Sequence, residues 1–268
     1  EIGRLAIAFN VMAAQVNASQ RLLRDFVANV SHELRTPLTS VQGFAQAIMD
    51  GTARTSEDVT LAATIIVEES DRMHRLVDDL LYLSKLESGQ LPIERSTVDL
   101  GDLIALSIER LSRHAEESGV QVRSDVAPLP PVSVDGSRME QVLANLLGNA
   151  LKHTPEGGKV EVRARLESRK IGPADQSLGP MAVIEVHNTG SFIEQDDRER
   201  IFERFYQVDK SRKREGGGAG LGLAICYEIV AAHGGSIRVQ SDAEHGTTFR
   251  VNIPLGETPE SAGRKRRQ

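Results

Sequence analysis

Apolar positions near the start of the chain recur at the spacing of one face of a helix. Leu5, Phe9, Met12 and Val16 open the series. After a polar stretch it resumes at Leu23, Val27, Val30, Leu34, Val41, Phe44 and Ile48, in steps of three and four or sums to seven. Such a seam predicts one nearly unbroken amphipathic helix from Ile2 to about Gly51. "DGTARTSED", Asp50 to Asp58, combines turn residues with Ser/Thr helix-start signals. A second helix follows from about Ser56 to Leu86, with Leu61, Ile65, Ile66, Met73, Leu76, Leu80 and Leu83 on its apolar side. Two such helices form an antiparallel hairpin. One hairpin cannot bury both seams, so a homodimer closing into a four-helix bundle is the simplest expectation.

The stretch "ESGQLPIERSTVD" breaks the pattern and reads as a linker. Beyond it, helices are expected near 101–118, 137–153, 195–203 and 220–233. They alternate with the strand-like runs "VQVRSDV", "GKVEVRARLE", "MAVIEVHN", "GSIRVQSD" and "GTTFRVNIPL". Helices mixed with mostly hairpin-connected strands predict an α+β layered domain. "SRKIGPADQSLGP" reads as a long polar hairpin loop between two of these strands.

Composition narrows the class. The 268 residues suffice for two domains, and 40% of them are apolar. Aromatics are only 4% and Trp is absent, which favours cores of Leu, Val, Ile and Ala. The net charge of −6, with no dominant basic stripe, argues against a nucleic-acid partner. The basic end "GRKRR" reads as a solvated tail. One cysteine, Cys226 in the apolar run "LAICYEIV", excludes an internal disulfide and a Cys-built zinc site and reads as core. No run of 18 apolar residues is present, so this stretch is not expected to cross a membrane by itself. It begins in helical periodicity without an initiator Met, which predicts a piece of something longer.

"SHELRTPL", Ser31 to Leu38, sets His-Glu just before a proline in mid-helix, a defect of roughly 3 kcal/mol. At about 100° per residue, His32 points away from the seam and into solvent. Thr36 shares its face and Glu33 adjoins it. Pro37 falls on the seam side, where a kink would bend the helix near His32. The arrangement suits an ordinary exposed histidine. It also suits a nucleophilic imidazole whose ring proton Glu33 accepts or orients.

Two further segments carry chemistry. In "MEQVLANLLGNALKHTP", Asn145, Asn149 and Lys152 fall within roughly a 60° arc of one helix. Amide oxygens and a lysine on one face suit Mg²⁺ and phosphate, or simply a solvated polar face. "GGGAGLGLAICYEIVAAHGG" brings Gly216, Gly217, Gly218, Gly220 and Gly222 to the start of an apolar helix. Glycines and a helix N-terminus can cradle an anion. The spacing matches neither a Walker loop nor a dinucleotide fingerprint, and a flexible linker has the same composition. The preceding "YQVDKSRKREGGG" reads as a charged lid able to bring Lys210, Arg212 or Arg214 to a nucleotide, or as a solvated charge run.

Taken in order, these segments resemble the boxes of bacterial two-component sensor histidine kinases. "SHELRTPL" is similar to the H box, "NLLGNALKHTP" to the N box, "IFERFYQVD" to the F box and "GGAGLGL" to the G2 box. "EIGRLAIAFNVMAAQV" resembles the last helix of a HAMP linker. The resemblance implies a dimeric four-helix bundle followed by a Bergerat-type (GHKL) α/β sandwich. Its implied boundaries are HAMP helix 1–19, phosphotransfer hairpin 20–88, linker 89–97, ATP-binding domain 98–256 and tail 257–268. It implies ATP and Mg²⁺ as cofactors and His32 as phospho-acceptor with Glu33 as acid/base neighbour. Glu33 and Thr36 would position water for dephosphorylating the partner. Asn149 would hold Mg²⁺ beside Asn145, Lys152 would reach phosphate, and His153 would lie near adenine. Phe202 and Phe205 would seat the lid. Asn188, Gly190, Ile193, Lys210, Arg212, Gly218, Gly220, Leu221, Gly222 and Leu223 would complete the nucleotide site. The expected partner is a response-regulator receiver domain. The expected location is the cytoplasmic side of a bacterial inner-membrane sensor, with the stretch itself soluble.

One box departs from the family pattern Asp-x-Gly-x-Gly. Here it reads "NTGSF", with Asn188, Gly190 and Phe192. An amide oxygen replaces a carboxylate, a loss on the order of 1 kcal/mol in a hydrogen bond to adenine. That departure keeps a phosphatase-biased or pseudokinase scaffold as the alternative expectation. An ATPase of the gyrase or Hsp90 type is disfavoured, because those carry a Glu where Asn145 stands.

Overall fold

The computed structural model describes residues 2–87, 93–167, 179–208 and 219–255. The chain divides into two compact units, Glu1–Tyr82 and Leu83–Gln268.

The first unit is built on two helices, α1 (Ile2–Met49) and α2 (Ser56–Glu87). The turn between them is fixed by Asp50, whose Oδ1 accepts from the Thr52 N–H at 3.0 Å and the Thr52 hydroxyl at 2.6 Å. Gly51 supplies the left-handed residue, with φ of 74°. Helix α2 opens on a reciprocal capping box. The Asp58 N–H donates to Thr55 Oγ1 at 3.0 Å, and the Thr55 N–H donates to Asp58 Oδ2, also at 3.0 Å. The expected defect at Pro37 does not interrupt α1, whose helical span runs through it. Pro37 has no N–H to offer the Glu33 carbonyl. Two threonines flank the gap by bonding back onto the helix: Thr36 Oγ1 to the His32 carbonyl at 3.4 Å and Thr39 Oγ1 to the Arg35 carbonyl at 2.9 Å. Pro37 itself is buried.

In the second unit, β1 (Ser96–Val98) pairs antiparallel with β3 (Val132–Val134). Among the described residues five strands form the main sheet. They are β2 (Gln121–Val126), β4 (Lys159–Glu167), β5 (Met181–Asn188), β6 (Ser236–Asp242) and β7 (Gly246–Pro254). Their order is β2-β4-β5-β7-β6, with β2 parallel to β4 and the other pairs antiparallel. Helices α3 (Leu100–Glu117), α4 (Gly136–Lys152) and α5 (Gly222–Ala232) pack side by side, and α4 lies against β4 and β5.

Strand alternation explains the layering. Val160, Val162 and Ala164 of β4, Ala182, Ile184 and Val186 of β5, and Phe249, Val251 and Ile253 of β7 are buried. So are Met139, Leu143, Leu146 and Ala150 of α4 and Ile225 and Ile229 of α5. The opposite face of the sheet carries a charged ladder. Arg165 grips Glu185 through two bonds of 2.6 and 3.0 Å, and Arg250 adds a third at 2.9 Å. Val183 lies on this face, yet it is 1% exposed between its register partners Arg165 and Asn252. The aliphatic stems of arginine are suited to cover such a position.

Two details differ from the pattern reading, and a third reading is not reached by the described residues. The helix expected near 195–203 is two one-turn 3₁₀ helices, Gln195–Asp197 and Arg200–Phe202. "QDDRER" has no apolar period to support an α-helix, and only Ile201 there is buried. Strands β1 and β3, three residues each, were too short to register as periodicity. The loop read at "SRKIGPADQSLGP" lies mostly outside the described residues.

Candidate functional site

The first candidate centre belongs to the helical hairpin. His32 stands on α1 with its side chain 58% exposed, as its angle from the seam requires. Glu33 is 18% exposed, and its Oε1 lies 3.7 Å from His32 Nδ1. That separation is an ion-pair distance, longer than a hydrogen bond. It turns Nδ1 towards the carboxylate and leaves Nε2 as the ring nitrogen not engaged with Glu33. Thr36, exposed one turn later, is tied by its hydroxyl to the His32 carbonyl. The backbone that carries the imidazole is therefore braced at the step where Pro37 removes a donor.

The second centre is assembled by α4, the end of β5, the 3₁₀ turns and the start of α5. Helix α4 begins at Asp135, whose Oδ1 accepts from the Ser137 hydroxyl at 2.8 Å and the Arg138 N–H at 3.2 Å. Oδ2 accepts the Glu94 N–H at 3.2 Å. Burial opposes ionisation of Asp135, but these three bonds together hold its carboxyl below the usual range. Nearly three turns along α4, Asn145 Nδ2 donates to the Gly222 carbonyl at 3.2 Å. Its amide oxygen is thereby left as the group to accept or ligate. Asn149 is half-buried, and Lys152 and His153 are exposed at the helix end. The His153 carbonyl accepts the Ser191 hydroxyl at 3.0 Å.

The segment after β5 is pinned on every side. Asn188 is 2% exposed, and its Nδ2 donates to the Thr189 carbonyl at 3.3 Å, which leaves its oxygen as acceptor. Gly190 has φ of 110°, and a Cβ there would lie 2.4 Å from Pro155 Cδ, so only glycine fits. Ser191 accepts at its carbonyl from Thr247 Oγ1 at 3.1 Å, and the Ile193 N–H donates to Ser241 Oγ at 2.8 Å. Phe192, held between these anchors, is 43% exposed and so is not packed into the core.

The glycine turn meets the F-box segment through the backbone. The Phe205 N–H donates to the Gly220 carbonyl at 3.0 Å. Gly220 has φ of 71°, and a Cβ there would come within 2.9 Å of Phe205 Cα and of the Tyr206 carbonyl oxygen. Phe202 packs into the unit, its ring 6.0 Å from Tyr227 and 6.4 Å from Phe249. Leu221 is 1% exposed, so its side chain is core and only its main chain can face a ligand. Gly222 and Leu223 open α5, where helix N–H groups lack intrahelical partners and favour an anion. Cys226 is core, as expected. Lys210, Arg212 and Gly218 lie outside the described residues.

This donor set fits a magnesium nucleotide. Among the described residues no group of three or more His, Cys, Asp or Glu could hold a metal. Mg²⁺ takes few protein ligands when phosphates and water supply the rest, and amide oxygens suit it. Asn149, with Asn145 beside it, would hold the ion, and the α5 N-terminus would face phosphate.

Several residues of the site gave no sequence signal. His233 is 2% exposed; its Nε2 accepts the Asp135 N–H at 3.0 Å while Nδ1 lies 2.8 Å from the Ile229 carbonyl. It is a linchpin between the end of α5 and the cap of α4. Ser241 is likewise joined to the site from a distant position, its Oγ accepting the Ile193 N–H, and Asp197 accepts the Tyr206 hydroxyl nine positions along the chain.

An exposed histidine on a helical hairpin, followed by an Asn-bearing helix clasped to a glycine turn over a mixed sheet, defines a phospho-acceptor module with a GHKL-type nucleotide domain. Comparison with known proteins agrees. Residues 22–89 match the His Kinase A (phospho-acceptor) domain. Residues 134–257 match the histidine kinase-, DNA gyrase B- and HSP90-like ATPase family. The sensor histidine kinase WalK of Bacillus subtilis is 37% identical over 262 residues, covering 96% of this chain and 40% of WalK. The sensor protein SrrB of Staphylococcus aureus is 33% identical over 238 residues, covering 88% of this chain and 39% of SrrB. The chain thus spans about two fifths of the length of these relatives. Full-length ShkA, solved in complex with AMPPNP, has a TM-score of 0.61 and 33% identity over 85% of this chain and 45% of that one. ThkA, solved with the response regulator protein TrrA, has a TM-score of 0.65 and 26% identity over 88% and 62%. The histidine kinase AdeS of Acinetobacter baumannii shares the fold with a TM-score of 0.66 at 24% identity, over 84% and 98%. The chain belongs to the sensor histidine kinases of bacterial two-component systems.

Proposed function

We propose that this chain transfers the γ-phosphoryl group of ATP to His32 and then to an aspartate of a response-regulator receiver domain. The observation that carries the reading is an exposed His32 with Glu33 at its Nδ1, in a chain that also holds the Asn145–Gly222 clasp.

The chemistry asks little covalent help from the protein, because phosphoryl transfer depends on positioning and charge. The lone pair of His32 Nε2 attacks the γ-phosphorus. The bond from that phosphorus to the bridging oxygen breaks, and its electron pair leaves with ADP. The Nδ1 proton is taken by Glu33, whose carboxylate already faces that nitrogen. Asn188 accepts at its amide oxygen from the adenine amino group, Gly190 keeps the approach clear, and Lys152 and the α5 N-terminus meet the phosphates. Asn149 would hold Mg²⁺, which when bound would supply charge neutralisation at those phosphates.

Dephosphorylation of the regulator belongs to the same proposal, with Glu33 and Thr36 orienting water. So does a homodimer through the hairpin. Val27, Leu38, Leu61, Val67, Val77 and Leu81 are exposed on it, more apolar surface than a solitary hairpin sustains. Among the described residues no helix is long and apolar enough to cross a membrane. Residues 1–19 are proposed as the end of a HAMP linker joining the hairpin to a membrane-anchored sensor upstream. Residues 20–88, 89–97, 98–256 and 257–268 are proposed as hairpin, linker, ATP-binding domain and tail.

The test is incubation with Mg²⁺ and ATP labelled at the γ position. The wild-type chain should take up label and pass it to a receiver domain, and His32→Gln should take up none. Undiminished labelling of His32→Gln would refute the assignment.

A further inference from the structure

Phe205 is, among the described residues, the one non-glycine residue with positive φ, at 60°. An aromatic side chain there stores strain on the order of 1 kcal/mol and stays only where its neighbours hold it. The neighbour on its C-terminal side is held firmly. The Tyr206 hydroxyl donates to Asp197 Oδ1. The Arg200 guanidinium lies over the Tyr206 ring, 4.3 Å from its centroid, a cation–π contact. Asp197 and Arg200 come from the two 3₁₀ turns, so the phenol is fixed at its tip by one and on its face by the other. With Asp197 accepting its proton, and with some burial, the phenol is held above its ordinary titration range.

From Tyr206 the constraint passes along the main chain. The Tyr206 carbonyl oxygen and the Phe205 Cα both sit where any Cβ on Gly220 would stand 2.9 Å away, and the Phe205 N–H holds the Gly220 carbonyl. Gly220 leads through Leu221 into Gly222, whose carbonyl holds Asn145. Relaxation of Phe205 out of its strained conformation would therefore move the glycine turn and the first N–H groups of α5. Asp197 and Tyr206 touch no part of that turn with their side chains in the bonds described; they act through Phe205.

We infer that Tyr206, anchored by Asp197 and Arg200, is a positioning residue that keeps Phe205 strained and thereby sets the glycine turn at the nucleotide phosphates. This inference rests on the ATP-binding reading above. Its role is to pre-form the turn, so its loss weakens nucleotide binding more than it slows transfer from bound nucleotide.

The experiment measures kcat and KM for ATP in autophosphorylation, together with the Kd of a non-hydrolysable ATP analogue and the melting temperature. Tyr206→Phe keeps the ring and its contact with Arg200 and deletes only the hydroxyl. KM and Kd should rise about five- to tenfold, as expected for one lost charge-assisted bond. The value of kcat should stay within about twofold, since the strained turn re-forms once nucleotide is bound. Asp197→Ala should reproduce the effect, and the double variant should be no worse than either single one, because both remove the same bond. Unchanged KM and Kd with a lowered melting temperature would show a merely structural bond and overturn the inference. So would additive losses in the double variant. A wild-type chain that fails to bind the analogue would instead overturn the nucleotide reading, and the inference with it.

Discussion

Asn145 and Gly222 are 77 positions apart, and the Asn145 amide nitrogen donates to the Gly222 carbonyl at 3.2 Å. That bond locks helix α4 to the start of α5, and it leaves the amide oxygen as the end of Asn145 able to accept or ligate. Asn145→Asp keeps the shape but replaces the donor with an anion. Its carboxylate would face the Gly222 carbonyl and, when nucleotide is bound, the phosphates. Calorimetric titration with an ATP analogue should show affinity reduced at least about tenfold, the cost of a lost bond plus repulsion. Unchanged affinity would place nucleotide elsewhere.

Gly220 and Gly51 provide a matched comparison. Both have positive φ, 71° and 74°, but a Cβ at Gly220 meets the Phe205 backbone at 2.9 Å while one at Gly51 meets nothing within 4 Å. Gly51→Ala should cost only the conformational penalty of about 1 kcal/mol. Gly220→Ala should cost about 2–4 kcal/mol and also lower nucleotide affinity, because backbone must shift at the site. Denaturant unfolding and analogue titration of both variants check this; equal penalties would contradict it.

Asp79 links stability to pH. Desolvation, then the charge of Asp78, push its carboxyl up to about 6, and Arg75 only partly offsets them. A carboxyl raised in the folded state is favoured protonated. Its contribution is fully present below its ordinary value of 3.8 and is lost as pH rises through about 6. Asp79→Asn removes that penalty. After allowance for solvent screening of a half-exposed group, the variant should be more stable than wild type by about 1 kcal/mol at neutral pH. The gain should vanish below the ordinary carboxyl range. Thermal melts across that window would show a pH-independent difference if the carboxyl carried no such penalty.

On the outer face of the sheet, Glu185 serves two arginines at once. Hydrogen bonds from Arg165, opposed by burial and reinforced by the charges of Arg165 and Arg250, hold its carboxyl below the ordinary range. Such a group contributes stability above its ordinary pKa and loses it as pH falls through the lowered native value. Glu185→Gln should cost about 1–3 kcal/mol at neutral pH by leaving two guanidiniums under-paired. The difference should shrink in acid. Nucleotide affinity should be unaltered, and a change there would mean that this ladder reaches the site.

Periodicity made the helices α1 to α5 readable as elements, and in α4 the stripe Met139, Leu143, Leu146 and Ala150 is buried as such a pattern requires. The outward pose of His32 was likewise a matter of angle along one helix. The two 3₁₀ turns were not legible, since Ile201 and Phe202 are too close together to reveal a period. Nor were Asp135 and His233, whose bond joins positions 98 apart. A polar residue carries no mark of a distant partner. Gly190 and Gly220 announced that the backbone needed glycine, but not that Pro155 and Phe205 were the reason.

The proposed activity turns on a phosphoryl group at His32. Mass spectrometry of the chain after reaction with Mg²⁺ and ATP, with peptides handled at neutral pH, reads it directly. One phosphoryl group is expected on the peptide containing Ser31 to Arg35, at the imidazole, lost in acid and retained in base. A phosphoryl group that survives acid, or that sits on Ser31 or Thr36, would contradict it.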